Sequence, residues 1–594
     1  MIVEKMGIKA YNIAIIGGKA MDRITQSMLE TFKTSNGVSF NDISQEFEHF
    51  VNYCVVCKEY GSNDFDLDEI STGNATQGID GIAIIVNQKL VNTIEDIDLL
   101  IEYNQSLSVK FIVIQTKTSQ SFNNTEISNM GTFTNVFFSD ETDLFTTQEM
   151  QKFIELKEYI FSKGDKLKKN PELLMYYVTL GTWTDDDNIN ATINIIKGQL
   201  RQTNLFSEVD IIPCGSSQIQ DLYRKTKEKL KVIFKFEKRV TMYSLNDEEV
   251  GYSGVLPFKE YKKLIVEDNG AIKPVFEDNI RDYLGPNPDV NKNIKETIKS
   301  GNINAFSMLN NGITIVASSM KISGDLATME DYQIVNGCQT SNVLIENMNE
   351  VDNIDELIIP IRIIATKDER LKNEITKATN NQTGIRKDQL EALSTFQKSL
   401  EEYYKTYSSS NSLVYERRTG QYRDSNISKN RIVSISMQIK SVAAMFLNEP
   451  SAVSGQYGTV ARRVGNKLFK ATDKLIMYYV SALALYKIDN LYRTNKLDKK
   501  YKRARYHAIM LFRIVVSKED MPRFNQRKMD DYCQKILKVL NDDEESERIF
   551  KKITDFIILK GNEIDIDNRK CFERKETTDY LLSQKDLLQQ YIDQ

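Results

Sequence analysis

Histidine is nearly missing from this chain: His49 and His507 are the only two in 594 residues. Chemistry that needs several imidazoles, zinc hydrolysis above all, is therefore disfavoured. Six cysteines over this length do not make a disulfide framework. Cys54 and Cys57 form a C-x-x-C, but it lies inside the apolar run from Phe50 to Cys57. With no second Cys or His pair at zinc-finger spacing, that pair reads as core packing. No G-x-x-x-x-G-K-[ST] loop occurs, which argues against an ordinary P-loop motor. No apolar run approaches the roughly 18 residues of a spanning helix. The apolar patch near the N-terminus is interrupted by Lys9, poor for a signal peptide. A cytoplasmic chain with no membrane partner is the expectation. Charge of one sign is lacking too: 78 Lys and Arg face 83 Asp and Glu, a net charge of −5, so there is no global nucleic-acid footprint.

What remains is an ordinary soluble composition, 41% hydrophobic and 27% charged, over a length that suits several domains. Two short runs rich in Ile and Val stand out, Gly78 to Val86 and Val109 to Lys117. Each is bounded by Gly, Asn or Ser and reads as a buried strand. Asp80 sits where the first begins. Gln115 and Lys117 sit two apart at the end of the second, hence on one face. Paired antiparallel, the strands would bring Asp80, Gln115 and Lys117 to one sheet edge. A carboxylate and an amide oxygen suit a hard cation such as Mg²⁺ or Mn²⁺. Such a cation acidifies a bound water and offsets charge on a phosphate. A neighbouring ammonium can orient the water or hold the phosphate. Alternatively, Asp80 caps a turn and Lys117 is a solvated strand end.

The Asp…Gln-x-Lys pattern resembles the PD-(D/E)xK nuclease superfamily in the Gln-x-Lys form of Mrr-type restriction endonucleases. That resemblance implies a restriction-endonuclease-like α/β core over residues 1–235, catalytic roles for Asp80, Gln115 and Lys117, and Asp80 and Gln115 as metal ligands. It also implies a Glu on the preceding helix. Residues 44–60 read as that helix, with Phe47, Phe50, Val51, Cys54 and Cys57 at helical spacing and Ser44 as a plausible cap. Glu48 lies on the flank of this stripe and matches the third metal-site position, with Glu46 as the fallback.

Further along, a small helix is expected around 94–103 and a polar loop from Thr118 to Thr142. Helices then follow near 147–166 and 189–202, and strands at 173–180 and 209–212. A basic helix over 219–240 should lead out of this domain. The middle region carries four local patterns: NIRDYLG (279–285), NNGITI (310–315), QIVNGCQTS (333–341) and NNQT (380–383). Asn-Asn-Gly before a β-branched run is a turn into a strand. The third pattern is a strand that breaks at Gly337 into a helix capped by Thr340 or Ser341. Such a turn exposes backbone N–H groups that can hold an anion, with Asn336 and Gln339 as reading amides. Equally, these amides can cap turns and tie the domain together.

Together the four patterns resemble the abortive infection phage resistance (AIPR) family, over about Tyr243 to Tyr422. The resemblance implies a middle α+β AIPR domain (236–424) and a role in bacterial antiphage defence. From 425 to 594 the chain is helical by pattern, an all-helical C-terminal domain. Between Ser451 and Met510 there are 13 Lys and Arg against 3 Asp and Glu. Lys499, Lys500, Lys502, Arg503 and Arg505, with tyrosines between them, suit a phosphate backbone or form a solvated helix face.

The sequence thus predicts an α/β multidomain protein: a metal-dependent endonuclease of antiphage defence acting on nucleic acid, DNA first, with a phage-derived trigger and self-association as further expected partners. Two alternatives stand beside it. One is a sensor whose nuclease fold has lost activity, since Gln is a weaker ligand than Glu; the other is a nucleotide-controlled switch working through the Gly337 turn.

Overall fold

Runs of Ile, Val and Phe in Gly81–Val86 (β1) and Val109–Lys117 (β3) make strands buried on both faces over most of their length. The computed structural model of the chain describes all residues except 1–14, 17–18, 41, 64, 74–77, 105, 140–141, 146, 229, 243–248, 268–269, 271–272, 274, 277–304, 349–352, 380–386, 408–411, 418–420, 423–426 and 462–466. The chain divides into two compact units. The first takes residues 1–58, 65–92 and 106–226; the second takes 59–64, 93–105 and 227–594.

In the first unit, helices α1 (Arg23–Asn36) and α2 (Ile43–Tyr60) precede the sheet. Asp42, not Ser44, caps α2, its Oδ1 accepting from the Gln45 N–H at 2.9 Å. The sheet has five strands in the order β2 (Lys89–Leu90), β1, β3, β4 (Glu172–Thr179), β5 (Glu208–Cys214). β1 runs antiparallel to β3, with Gly81 opposite Ile114. β3, β4 and β5 are parallel, with Gln115 beside Tyr177. The expected antiparallel pair is therefore present, and so are the strands at 173–180 and 209–212. The helix expected around 94–103 is α3 (Ile94–Asn104), which belongs to the second unit.

The segment from Thr118 to Thr142 differs from expectation. It is not a polar loop but mostly a helix, α4 (Asn124–Phe138), whose Asn123 cap accepts from the Thr125 N–H at 2.8 Å. Its buried face runs Ile127, Met130, Gly131, Thr134, Phe137 and Phe138. Gly and Thr in that stripe hide its apolar period. Gly131 is nonetheless required, because a Cβ there would lie 2.6 Å from Ile196. Helices α5 (Gln148–Ser162), α6 (Asp187–Gln202) and α7 (Ser216–Lys227) complete the unit.

The basic helix expected over 219–240 ends at Lys227. Residues beyond it alternate: Val232 and Phe234 are buried while Lys231, Ile233 and Lys235 are exposed, a strand period rather than a helical one. They form β6 (Lys231–Lys235), followed by β7 (Lys238–Met242) and β8 (Val250–Pro257). Helix α8 (Phe258–Ile265) follows, then the hairpin strands β9 (Ile313–Ser323) and β10 (Leu326–Asn336), helix α9 (Cys338–Asn347) and β11 (Ile358–Ala365). The six strands order as β6-β10-β9-β11-β8-β7, all antiparallel neighbours except β9 with β11. Tyr261, Leu264, Ile315, Ile334 and Ile361 lie in its core.

From Lys387 onward the second unit is mainly helical, and a continuous apolar core joins Leu400, Ile439, Val480, Ile509, Ile536 and Phe550. Within it the Arg513 guanidinium is buried and satisfied by the Met445 carbonyl, the Tyr532 hydroxyl and the Asn448 Oδ1 at 2.7–2.8 Å. Among the described residues no helix is long and apolar enough to cross a membrane.

Candidate active site

Asp80 continues the β1–β3 ladder by one residue, donating its N–H to the Ile114 carbonyl at 2.8 Å. That places its side chain across from Gln115. Its Oδ2 accepts three bonds: from Gln115 Nε2 (2.7 Å), the Thr116 N–H (2.6 Å) and Thr116 Oγ1 (2.8 Å). The backbone behind it is held by α2, where the fully buried Asn52 donates to the Asp80 carbonyl at 3.3 Å. Gly81 permits this approach, since a Cβ there would lie 2.5 Å from Asn52 Oδ1.

Glu48 stands one helical turn before Asn52, on the same face of α2. Burial, and secondarily the Asp80 charge, push its carboxyl up to about 8; Ser71, donating to Oε1 at 3.4 Å, opposes the shift. Asp80 is raised as well, first by burial, against the Thr116 donors and the Lys117 charge. The fallback Glu46 turns elsewhere, its Oε1 pairing with Lys33 at 2.9 Å.

Do these residues fit a cation? Asp80, Glu48 and Gln115 offer oxygen alone, the donor set a hard ion prefers. The Gln115 Oε1 is buried and accepts no hydrogen bond among the described residues. An orphaned acceptor and two carboxylates of raised pKa are groups that a cation would satisfy. One detail departs from expectation: the amide presents its nitrogen, not its oxygen, to Asp80. A half-turn of the amide brings Oε1 round. Among the described residues no group of three or more His, Cys, Asp or Glu could hold a metal, so the fit depends on this amide.

Lys117 lies at the end of β3, half-exposed, and its Nζ pairs with Glu126 Oε2 at 3.2 Å. Glu126 sits in the first turn of α4, and its charge also bears on Asp80. α4 approaches closely enough that a Cβ on Gly78, whose φ is +73°, would meet Phe133 at 2.6 Å. The arrangement therefore brings Asp80, Gln115, Lys117 and Glu48 together. It adds Thr116 and Glu126, which sequence reasoning missed. Thr116 lay in plain view between Gln115 and Lys117, but half of its contribution is a backbone N–H. Glu126 was lost with the helix that carries it.

In the second unit, NNGITI makes the expected turn into β9, with Asn310 Oδ1 accepting from the Gly312 N–H at 3.0 Å and Gly312 at φ +82°. QIVNGCQTS is strand, turn and helix as expected, but Gly337 itself (φ +94°) occupies the cap position of α9. Thr340 and Ser341 fall inside the first turn rather than capping it, because the helix begins at Cys338. Ser341 bonds Tyr261 at 2.6 Å, and Asn310 donates to the buried Thr340 at 3.4 Å. Asn336 donates to the Thr379 carbonyl. These contacts favour the tying role for the amides.

Residues 276–567 match the AIPR protein family model. The AIPR match covers just under half of the chain; it begins before β9 and reaches well into the helical region. No curated protein and no solved structure matches the chain. Of the motifs that carry the AIPR resemblance, NIRDYLG and NNQT lie outside the described residues, as does the side chain of Gln339. The basic segment lies inside the AIPR stretch and divides in two. Lys499 and Lys500 are exposed, Lys500 reaching over the Tyr501 ring at 4.6 Å. Lys502, Arg503 and Arg505 are half-buried; Arg503 donates to the Arg569 carbonyl at 2.8 Å, and Arg505 faces Asp489 at 3.9 Å.

Proposed function

We propose that the first unit is a nuclease of the PD-(D/E)xK type, hydrolysing phosphodiester bonds, DNA first, in antiphage defence by abortive infection. The observation that carries this reading is the meeting of Asp80, Gln115, Glu48 and Lys117 at one end of the β1–β3 pair, with a buried amide oxygen left unpartnered. The defence role rests on the AIPR match. Asp80, Glu48 and the Gln115 oxygen would hold Mg²⁺ or Mn²⁺. When bound, the ion offsets charge on the phosphate and acidifies the attacking water.

The protein's own groups do the rest. Thr116 fixes the Asp80 carboxylate through two donors, so one oxygen keeps its place whatever the other meets. Glu48, protonated below about pH 8, gives up that proton before it can act as a ligand. The Lys117 ammonium holds a non-bridging phosphate oxygen and orients the water for in-line attack. The products are ordinary hydrolysis ends, with the 5′-phosphate expected. The AIPR stretch is assigned recognition of a trigger, and the helical region contact with DNA or a second copy.

A second reading, an inert nuclease fold kept as a sensor, draws on the amide nitrogen facing Asp80 and on a third ligand that is Gln. Cleavage separates the two. Supercoiled plasmid is incubated with the protein in Mg²⁺, Mn²⁺ or EDTA, beside Asp80→Ala and Lys117→Ala. Metal-dependent nicking lost in both variants is expected. Equal cleavage by all three proteins overturns the assignment.

A further inference from the structure

Glu126 belongs to no motif of the sequence, yet α4 delivers it to Lys117 in the candidate site. Its Oε2 lies 3.2 Å from Lys117 Nζ, and the two side chains are 36% and 37% exposed. Three features make the pair unusual for a structural one. First, α4 does not depend on it: Asn123 caps the helix, and Ile127, Met130, Phe137 and Phe138 bury its inner face. Second, the pair is more than a third exposed, so water screens it and breaking it costs little. Third, Lys117 ends the strand that carries Gln115, and a carboxylate oxygen resembles a phosphate oxygen in charge and in its demand for an N–H donor.

The geometry points to Glu126 as the resting occupant of the phosphate site on Lys117, a built-in competitor that a nucleic-acid phosphate displaces. This inference rests on the nuclease reading and names how that site meets its substrate. Displacement strands neither partner. Glu126, on an exposed helix turn, passes to water, and the ammonium trades a carboxylate for a phosphodiester. Glu126 is then a positioning residue acting through Lys117. Its charge sets how much backbone binding must be won elsewhere before the ammonium is released. A competitor of this kind lowers affinity for any phosphate backbone.

The test measures binding and turnover separately. Binding of a fluorescein-labelled DNA duplex, and of single-stranded RNA of the same sequence, is followed by anisotropy in EDTA. The proteins are the full-length wild type, Glu126→Gln, Lys117→Ala and the double variant. Glu126→Gln keeps the size of the side chain and removes the charge. It should tighten binding about two- to fivefold, the range a pair worth up to about 1 kcal/mol converts to at 1.4 kcal/mol per tenfold. The gain should vanish when Lys117 is Ala. In plasmid cleavage the same variant should lower KM with kcat changed little, while Glu126→Asp behaves as wild type. Unchanged or weaker binding by Glu126→Gln overturns the inference. So does a gain that persists undiminished in the double variant, which is mere removal of negative charge, and so does an absence of binding by every protein. Failure of the nuclease reading looks different: no metal-dependent cleavage by wild type, whatever the binding series shows.

Discussion

Glu48 makes the sharpest claim at the scale of single residues. Its carboxyl titrates near 8 in the folded chain and near 4.5 when unperturbed, so the folded protein holds one proton more between those values. The stabilisation tied to that proton is complete below the unfolded value and is lost as pH rises through about 8. Over that window wild type should lose stability relative to Glu48→Gln, with a slope of at most about 1.4 kcal/mol per pH unit. Urea unfolding at intervals from pH 5 to pH 9 reads this directly, and parallel curves for the two proteins would contradict it. The same proton opposes a cation, so affinity for Mn²⁺ should climb with pH towards 8. Asp80 contributes in the same sense, held above its ordinary value by burial. Much of this site was legible in the sequence. Asp80, Gln115 and Lys117 occupy two strand ends that one antiparallel pairing brings together, and Glu48 lies one turn from the residue that packs on Asp80. Its elevated pKa was not legible, because it arises from burial and from a charge 32 positions away in the chain.

Elements set the geometry in which those residues meet. α2 fixes the start of β1 through Asn52, and Gly81 is the residue that lets helix and strand close up. Gly81→Ala puts a Cβ 2.5 Å from a side chain with no room to swing. We expect a loss of about 1–3 kcal/mol in urea unfolding, the usual cost of overpacking, with metal affinity falling because Asp80 and Glu48 shift together. An unchanged midpoint would show that α2 can yield. Where sequence reading failed, the reason was also at this scale. α4 reads as a loop because Asn, Ser, Thr and Gly dilute its helical period, although buried Thr134 and Gly131 serve that period as well as larger residues do. The stretch after Lys227 reads as a basic helix because lysines dominate it. They occupy the exposed positions of a strand, and Val232 and Phe234 settle its period. The Gly337 turn was placed correctly, but its cap was not. A positive φ at glycine starts the helix three and four residues before the hydroxyls that looked like caps.

At the scale of the whole molecule, charge explains more than composition does. A net charge of −5 suggests no affinity for a polyanion, and the basic segment looked like the exception. Its five cations are not equivalent. Lys499 and Lys500 face solvent, whereas Arg503 and Arg505 are turned toward a carbonyl and a carboxylate of their own unit. The proposed hydrolysis requires one earlier step, the capture of a cation at the end of the β1–β3 pair. Isothermal titration of the full-length protein with Mn²⁺ near pH 8, beside Asp80→Ala and Gln115→Ala, tests it most directly. A single saturable site is expected in wild type, weaker in Gln115→Ala and absent in Asp80→Ala, with protons released on binding at lower pH. No saturable heat in wild type, or the same isotherm for wild type and Asp80→Ala, would contradict it.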